Sequence, residues 1–195
     1  AANDKLFVQG GMTSLSEIDD QWYYEPLLKT WRHIVPDNQG PNPLAGHAAT
    51  CDAYGAPIVY GGASLNGGYM DTRVWLYNPD TNRYSMIKEE YNDDLKRRWH
   101  YLGSFDGGRR FLVFGGVGAD GKIFGDIWIF EEKTRTWFSE RPGIPSSFPT
   151  DGASIWETTV VSPTARAKMA GVTYCSRFLV LGGVDENGME LDEVW

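Results

Sequence analysis

The chain has 195 residues with 26 acidic and 18 basic side chains, a formal net charge of −8. That acidic balance, spread along the chain, argues against a broad phosphate-binding surface and so against a nucleic-acid partner. Its length suits one domain with a sizeable core, and no apolar run is long enough to cross a bilayer as a helix, so no membrane insertion is expected.

The first unit opens at Leu6-Phe7-Val8-Gln9-Gly10-Gly11, a short strand-like run closed by a glycine pair. Trp22, Tyr24 and Trp31 follow. The second unit repeats the order: Ile58-Val59-Tyr60-Gly61-Gly62, then Trp75, Tyr77 and Tyr84. In the third, Phe111-Leu112-Val113-Phe114-Gly115-Gly116 leads to Trp128, Phe130 and Trp137. The fourth has Phe178-Leu179-Val180-Leu181-Gly182-Gly183 and Trp195. Such recurrence, at about fifty residues, marks one supersecondary unit copied along the chain.

Each glycine pair reads as the end of a buried strand, where small residues permit a turn. Trp75 and Tyr77, like Trp128 and Phe130, are two apart and share one face of a strand. Val74 with Leu76, and Ile127 with Ile129, take the opposite face, so these strands are apolar on both sides and are expected between layers. Asn78-Pro79-Asp80-Thr81-Asn82 is a tight turn before a further strand. Residues 46–51, 99–105 and 169–175 supply a strand ahead of three of the glycine pairs. Four short strands per unit with no helical periodicity predict an all-β chain.

The register of apolar run, Gly-Gly, variable loop and aromatic-x6-aromatic resembles the kelch repeat of β-propellers over essentially the whole chain. The resemblance implies a kelch-type propeller of four-stranded antiparallel blades: blade A over 5–34, blade B over 45–88, blade C over 97–139 and blade D over 164–195, with an insertion loop at 141–163. The first unit starts on its second strand and the last stops in its third. An incomplete ring is therefore expected, completed by the rest of a longer protein or by another subunit, since open propeller ends expose apolar faces.

Candidate chemistry is sparse. Cys51 and Cys175 fall in first strands two units apart, too distant for a disulfide, and no N-x-S/T sequon occurs, so an intracellular, cytoplasmic setting with reduced thiols is expected. His47 and His100 lie 14 and 15 residues before their glycine pairs, with Lys168 at this place in the next copy. They are taken as near-equivalent positions with a packing role, and the kelch resemblance implies a recurring histidine there. Arg97-Arg98 and Arg109-Arg110 read as solvated loop charges. No histidine, cysteine or acidic spacing predicts a metal, and no cofactor is expected. Calcium at Asp185-Glu186-Asn187 gives way to turn chemistry, as does Asp120-Gly121.

Function is expected on the long connections at one rim, among them 12–20, 63–73, 117–125 and 184–192, because rigid β scaffolds carry variable loops. Phe148, Ile155 and Trp156 in the 141–163 insertion are candidate partner anchors, or alternatively Trp156 packs locally on a neighbouring blade. Acidic groups at Asp19, Asp20, Asp120, Asp185 and Glu186 complement a basic partner. The expected function is a non-catalytic protein–protein interaction scaffold within a larger assembly. The alternative is a channel-sited enzyme of the kelch and galactose-oxidase-like superfamily, with His47, His100 and Arg166 in the channel.

Overall fold

The computed structural model describes residues 5–52, 54–64, 71–87, 98–105, 110–140, 163–174 and 177–195. Sixteen strands and no helix occur among them. Every paired strand in the sheets is antiparallel, and two of the sheets are four-stranded.

Sheet I holds β1 (Leu6–Met12), β2 (Glu17–Glu25) and β3 (Thr30–Ile34) in that order. Sheet II is β4 (Ala48–Cys51), β5 (Pro57–Tyr60), β6 (Val74–Asn78) and β7 (Arg83–Ile87). A two-stranded ribbon of β8 (Arg98–Trp99) and β11 (Val117–Gly118) adjoins sheet III. Sheet III is β9 (Leu102–Phe105), β10 (Arg110–Phe114), β12 (Ile127–Glu131) and β13 (Thr136–Glu140). Sheet IV is β14 (Ala170–Tyr174), β15 (Arg177–Val184) and β16 (Glu190–Val194).

The aromatic-x6-aromatic spacing is a hairpin signature. Tyr24 lies opposite Trp31, Tyr77 opposite Tyr84, and Phe130 opposite Trp137. Their ring centroids are 5.1, 5.1 and 5.2 Å apart, inside the range of favourable aromatic pairs. The turns close through Lys29, Asn82 and Arg135, which share a left-handed conformation at φ 56°, 52° and 58°.

Two expectations are corrected. In sheets I and IV the glycine pair does not end the strand. β1 continues to Met12 and β15 to Val184 through a register shift at the pair, a bulge that lets positive-φ glycines stay in the ladder. The connection read as a long loop up to Asp20 is therefore a turn over 13–16, and Asp19 and Asp20 lie on β2. The connection expected over 184–192 is likewise shorter, a turn over 185–189 between β15 and β16.

The core lies between sheets. Tyr23 and Ile34 of sheet I, with Phe7, pack on Val59, Trp75, Tyr77 and Tyr84 of sheet II. The other face of sheet II (Ile58, Tyr60, Val74) packs on Phe111, Val113, Trp128, Phe130 and Trp137 of sheet III. Phe114 and Ile127 of sheet III then meet Val180, Phe178 and Trp195 of sheet IV. The inner strands lie side by side, β9 between β4 and β14. Thr173 on β14 reaches across to Ser104 on β9, N to Oγ 3.0 Å and Oγ1 to Oγ 2.8 Å.

Candidate functional site

Register aligns the copies residue by residue. Ala48 pairs with Tyr60, Leu102 with Phe114 and Ala170 with Leu181. The residues just before, His47, Tyr101 and Met169, are thus equivalent. One step earlier come Gly46, His100 and Lys168, all left-handed at φ 65°, 53° and 56°. His47 and His100 are therefore offset by one position, a correction to their reading as near-equivalent. The counts of 14 and 15 residues to the glycine pairs carry this offset, and a one-residue shift reverses the side-chain direction; what counting misplaces is Lys168, 14 residues before Gly182 yet equivalent in register to His100.

The two positions do different work. The His100 amide donates to the Gly46 carbonyl and the Lys168 amide to the His100 carbonyl, each at 2.8 Å, forming a backbone line from sheet to sheet. The side chains of the His47 position instead fill the space beside the glycine pairs. A Cβ at Gly61 would stand 2.1 Å from the Tyr101 hydroxyl, and one at Gly115 3.2 Å from the Met169 methyl. Tyr101 is buried and donates from its hydroxyl to the Tyr60 carbonyl. His47 lies 3.6 Å from where a Gly10 Cβ would be. Its Nδ1 donates to the Leu44 carbonyl at 3.2 Å, and burial pulls its pKa below the ordinary histidine value. His100 stacks on Trp99 at 4.5 Å. Burial, then the Lys168 cation, lowers its pKa too.

A second recurring motif was not legible as one. Arg98 and Arg166, each four residues ahead of an inner strand, are 2% and 0% exposed. Arg98 donates to Asp126 at 2.6 and 3.1 Å and to the Gly115 carbonyl at 3.0 Å. Arg166 donates to Glu193 at 2.8 Å and to the Gly182 carbonyl at 3.1 Å. The same carboxylates accept from indoles two residues on, Trp128 at 2.7 Å and Trp195 at 3.1 Å. Burial pushes the Asp126 carboxyl up, but the Arg98 and Trp128 hydrogen bonds overcome this and leave it below the ordinary carboxylate value. Arg98 is thus not a solvated loop charge. Acid-x-Trp, at Asp20-x-Trp22, Asp126-x-Trp128 and Glu193-x-Trp195, was the signal available in the sequence.

The loop-rim candidates separate. Asp20 accepts from the Trp22 indole at 2.7 Å. Asp19 is exposed on β2. Both line an open cleft of about 380 Å³ with His33, Asn38 and prolines of the connection that follows β3. This cleft is the candidate site, because it gathers carboxylates, an imidazole and rigid proline backbone where β2 and the end of β3 meet the sheet I–II connection. Asp120 holds its own turn through the Lys122 amide at 3.0 Å. Asp185 does so through the Asn187 and Met189 amides at 2.9 and 2.8 Å, and Glu186 beside it is exposed. Phe148, Ile155, Trp156 and Cys175 lie outside the described residues.

Comparison with known proteins adds to this geometry. The chain is similar to an F-box/kelch-repeat protein of Arabidopsis thaliana. The two are 27% identical across 94% of this chain and 41% of that protein. It is also 28% identical to the dynein alpha chain of the flagellar outer arm of Chlamydomonas reinhardtii, over 83% of this chain and 3% of that protein. The chain thus spans less than half the length of either relative. No family model matches it. Among the described residues no helix is long and apolar enough to cross a membrane.

Proposed function

We propose that this chain is an arc of a kelch-type β-propeller acting as a non-catalytic protein–protein interaction scaffold in a larger assembly. Support for the propeller comes from the antiparallel sheets packed face to face with their inner strands adjacent, together with the similarity to a kelch-repeat protein. The carrying observation for the function is how the inner ionisable groups are used. His47 bonds the Leu44 carbonyl, Arg98 pairs with Asp126 and Arg166 with Glu193, so each serves the fold. Recognition then falls to the rim, where the cleft at Asp19 and Asp20 suits a basic partner segment. Scarce cysteines and the missing glycosylation sequon support an intracellular setting.

The test is capture of binding proteins on the immobilised chain, wild type against Asp19→Lys, with melting curves of both. Partners lost in the variant at unchanged melting temperature are the expected result. A substrate turned over by the wild type but not by a folded His47→Ala, His100→Ala variant would overturn the non-catalytic reading.

A further inference from the structure

The cross-strand pair just before the glycine turn is apolar in three sheets and polar in the first. Tyr60 lies opposite Val74, Phe114 opposite Ile127 and Leu181 opposite Val194, whereas sheet I sets Gln9 opposite Gln21. Both glutamines are buried, at 6% and 4% exposure. Gln9 is satisfied: its Oε1 accepts from the Tyr84 hydroxyl at 2.8 Å, and its Nε2 donates to the Asp19 carbonyl at 3.4 Å. The Gln21 Oε1 has no hydrogen-bond partner among the described residues. An amide oxygen buried without a donor costs stability, and the valine of sheets II and IV would avoid that cost.

Gln21 lines the cleft already described, beside Asp19. The two are two apart on β2 and so share one face of the strand. The connection over 35–43, which forms much of the lining, is held from sheet II. Both ends of the Asn38 amide bond the Tyr84 backbone, at 2.8 and 2.7 Å. The Asn82 amide donates to the Val35 carbonyl at 2.8 Å and to Asp37 at 3.0 Å. Pro36, Pro41 and Pro43 stiffen the same stretch. The cleft is therefore pre-formed, and its volume of about 380 Å³ leaves room for one long side chain.

We propose that this cleft takes the arginine side chain of a partner polypeptide, the guanidinium donating to the Asp19 carboxylate and to the Gln21 Oε1. The site offers acceptors, an exposed carboxylate next to an orphaned amide oxygen. The terminal amide torsion of glutamine is broad, so this oxygen turns to meet an entering donor. A guanidinium carries five donors in a planar fork and serves both groups at once, whereas an ammonium is a point charge. The Asp20 carboxylate is taken by the Trp22 indole and adds negative charge without being a ligand. The inference rests on the reading of this cleft as the recognition surface for a basic segment, and deepens it.

The probe is Nα-acetyl-arginine amide, which has the side chain and no terminal charges. It is titrated into the isotope-labelled 195-residue chain and followed by NMR. Saturable shifts of the Gln21 side-chain amide and of backbone amides over 19–21 and 37–40 are expected, with a Kd of the order of 1 mM. The citrulline and lysine analogues of the probe, and the Asp19→Asn variant, should each weaken binding at least about fivefold. Gln21→Val is the decisive variant. It should lose binding to the same extent yet melt at or above the wild-type temperature. Melting well below wild type would show that Gln21 serves the fold and would overturn the proposal. So would equal binding of the arginine and citrulline probes, or no saturation up to about tenfold the expected Kd. Partners captured in an Asp19-dependent way, with no arginine-dependent shift, would sink the arginine alone and leave the scaffold reading standing.

Discussion

Gly61 shows how one missing side chain joins two sheets. Its φ is +65°, a region costly for any residue with a Cβ, and the space a Cβ would take belongs to the Tyr101 hydroxyl of the next sheet. The conformational term is roughly 1–2 kcal/mol, and overpacking adds about 1–3 kcal/mol. Gly61→Ala is therefore expected to cost about 3 kcal/mol, lowering the melting temperature by roughly 8 °C for a chain of this size. Gly121→Ala is the control, since Gly121 has φ +81° but nothing within 4 Å of a Cβ. Only the conformational part should then be lost. Equal losses at the two sites, measured by thermal denaturation, would mean that contact with Tyr101 contributes nothing.

Within a sheet, the hairpin and the buried arginine are separate devices. Cross-strand aromatic pairs set the β3, β7 and β13 register locally, so this part of the fold follows from spacing. Arg98 acts over a longer range. It ties the segment before β9 to β12 through Asp126 and to the end of β10 through the Gly115 carbonyl. Removing one member of a buried pair costs about 3–5 kcal/mol, reduced here because the Asp126 side chain is 38% exposed. Arg98→Leu should cost about 2 kcal/mol by chemical denaturation. Adding Asp126→Asn should recover part of that loss, as Leu44 and Arg73, at the equivalent positions, manage without this pairing in sheet II. A double variant less stable than the sum of its singles would contradict this.

Across the molecule, stability is distributed as in other repeat architectures, where each unit rests on its neighbours. Sheets II and III are covered on both faces within the described residues, while sheets I and IV are each covered on one. Trp31 on sheet I and Val172, Leu181 and Val194 on sheet IV remain exposed. Hydrogen exchange should reflect this order, slowest for β5, β6, β10 and β12 and faster for β3 and β16. Uniform protection across the four sheets would indicate a single cooperative unit instead.

The amino-acid order by itself determined the all-β class, the repeat unit and the strand pairs linked by tight turns. These depend on alternation, turn chemistry and contacts within about ten residues, which leave periodic marks in the chain. Tertiary structure decided what spacing leaves open. The match of Lys168 with His100 and not with His47 follows from ladder register, and the strand position of Asp20 from a bulge that keeps glycines in the sheet. The burial of Arg98 follows from Asp126, which is 28 residues away in sequence. Arginine carries no periodic mark of burial, because its environment is set by a partner that only folding brings near.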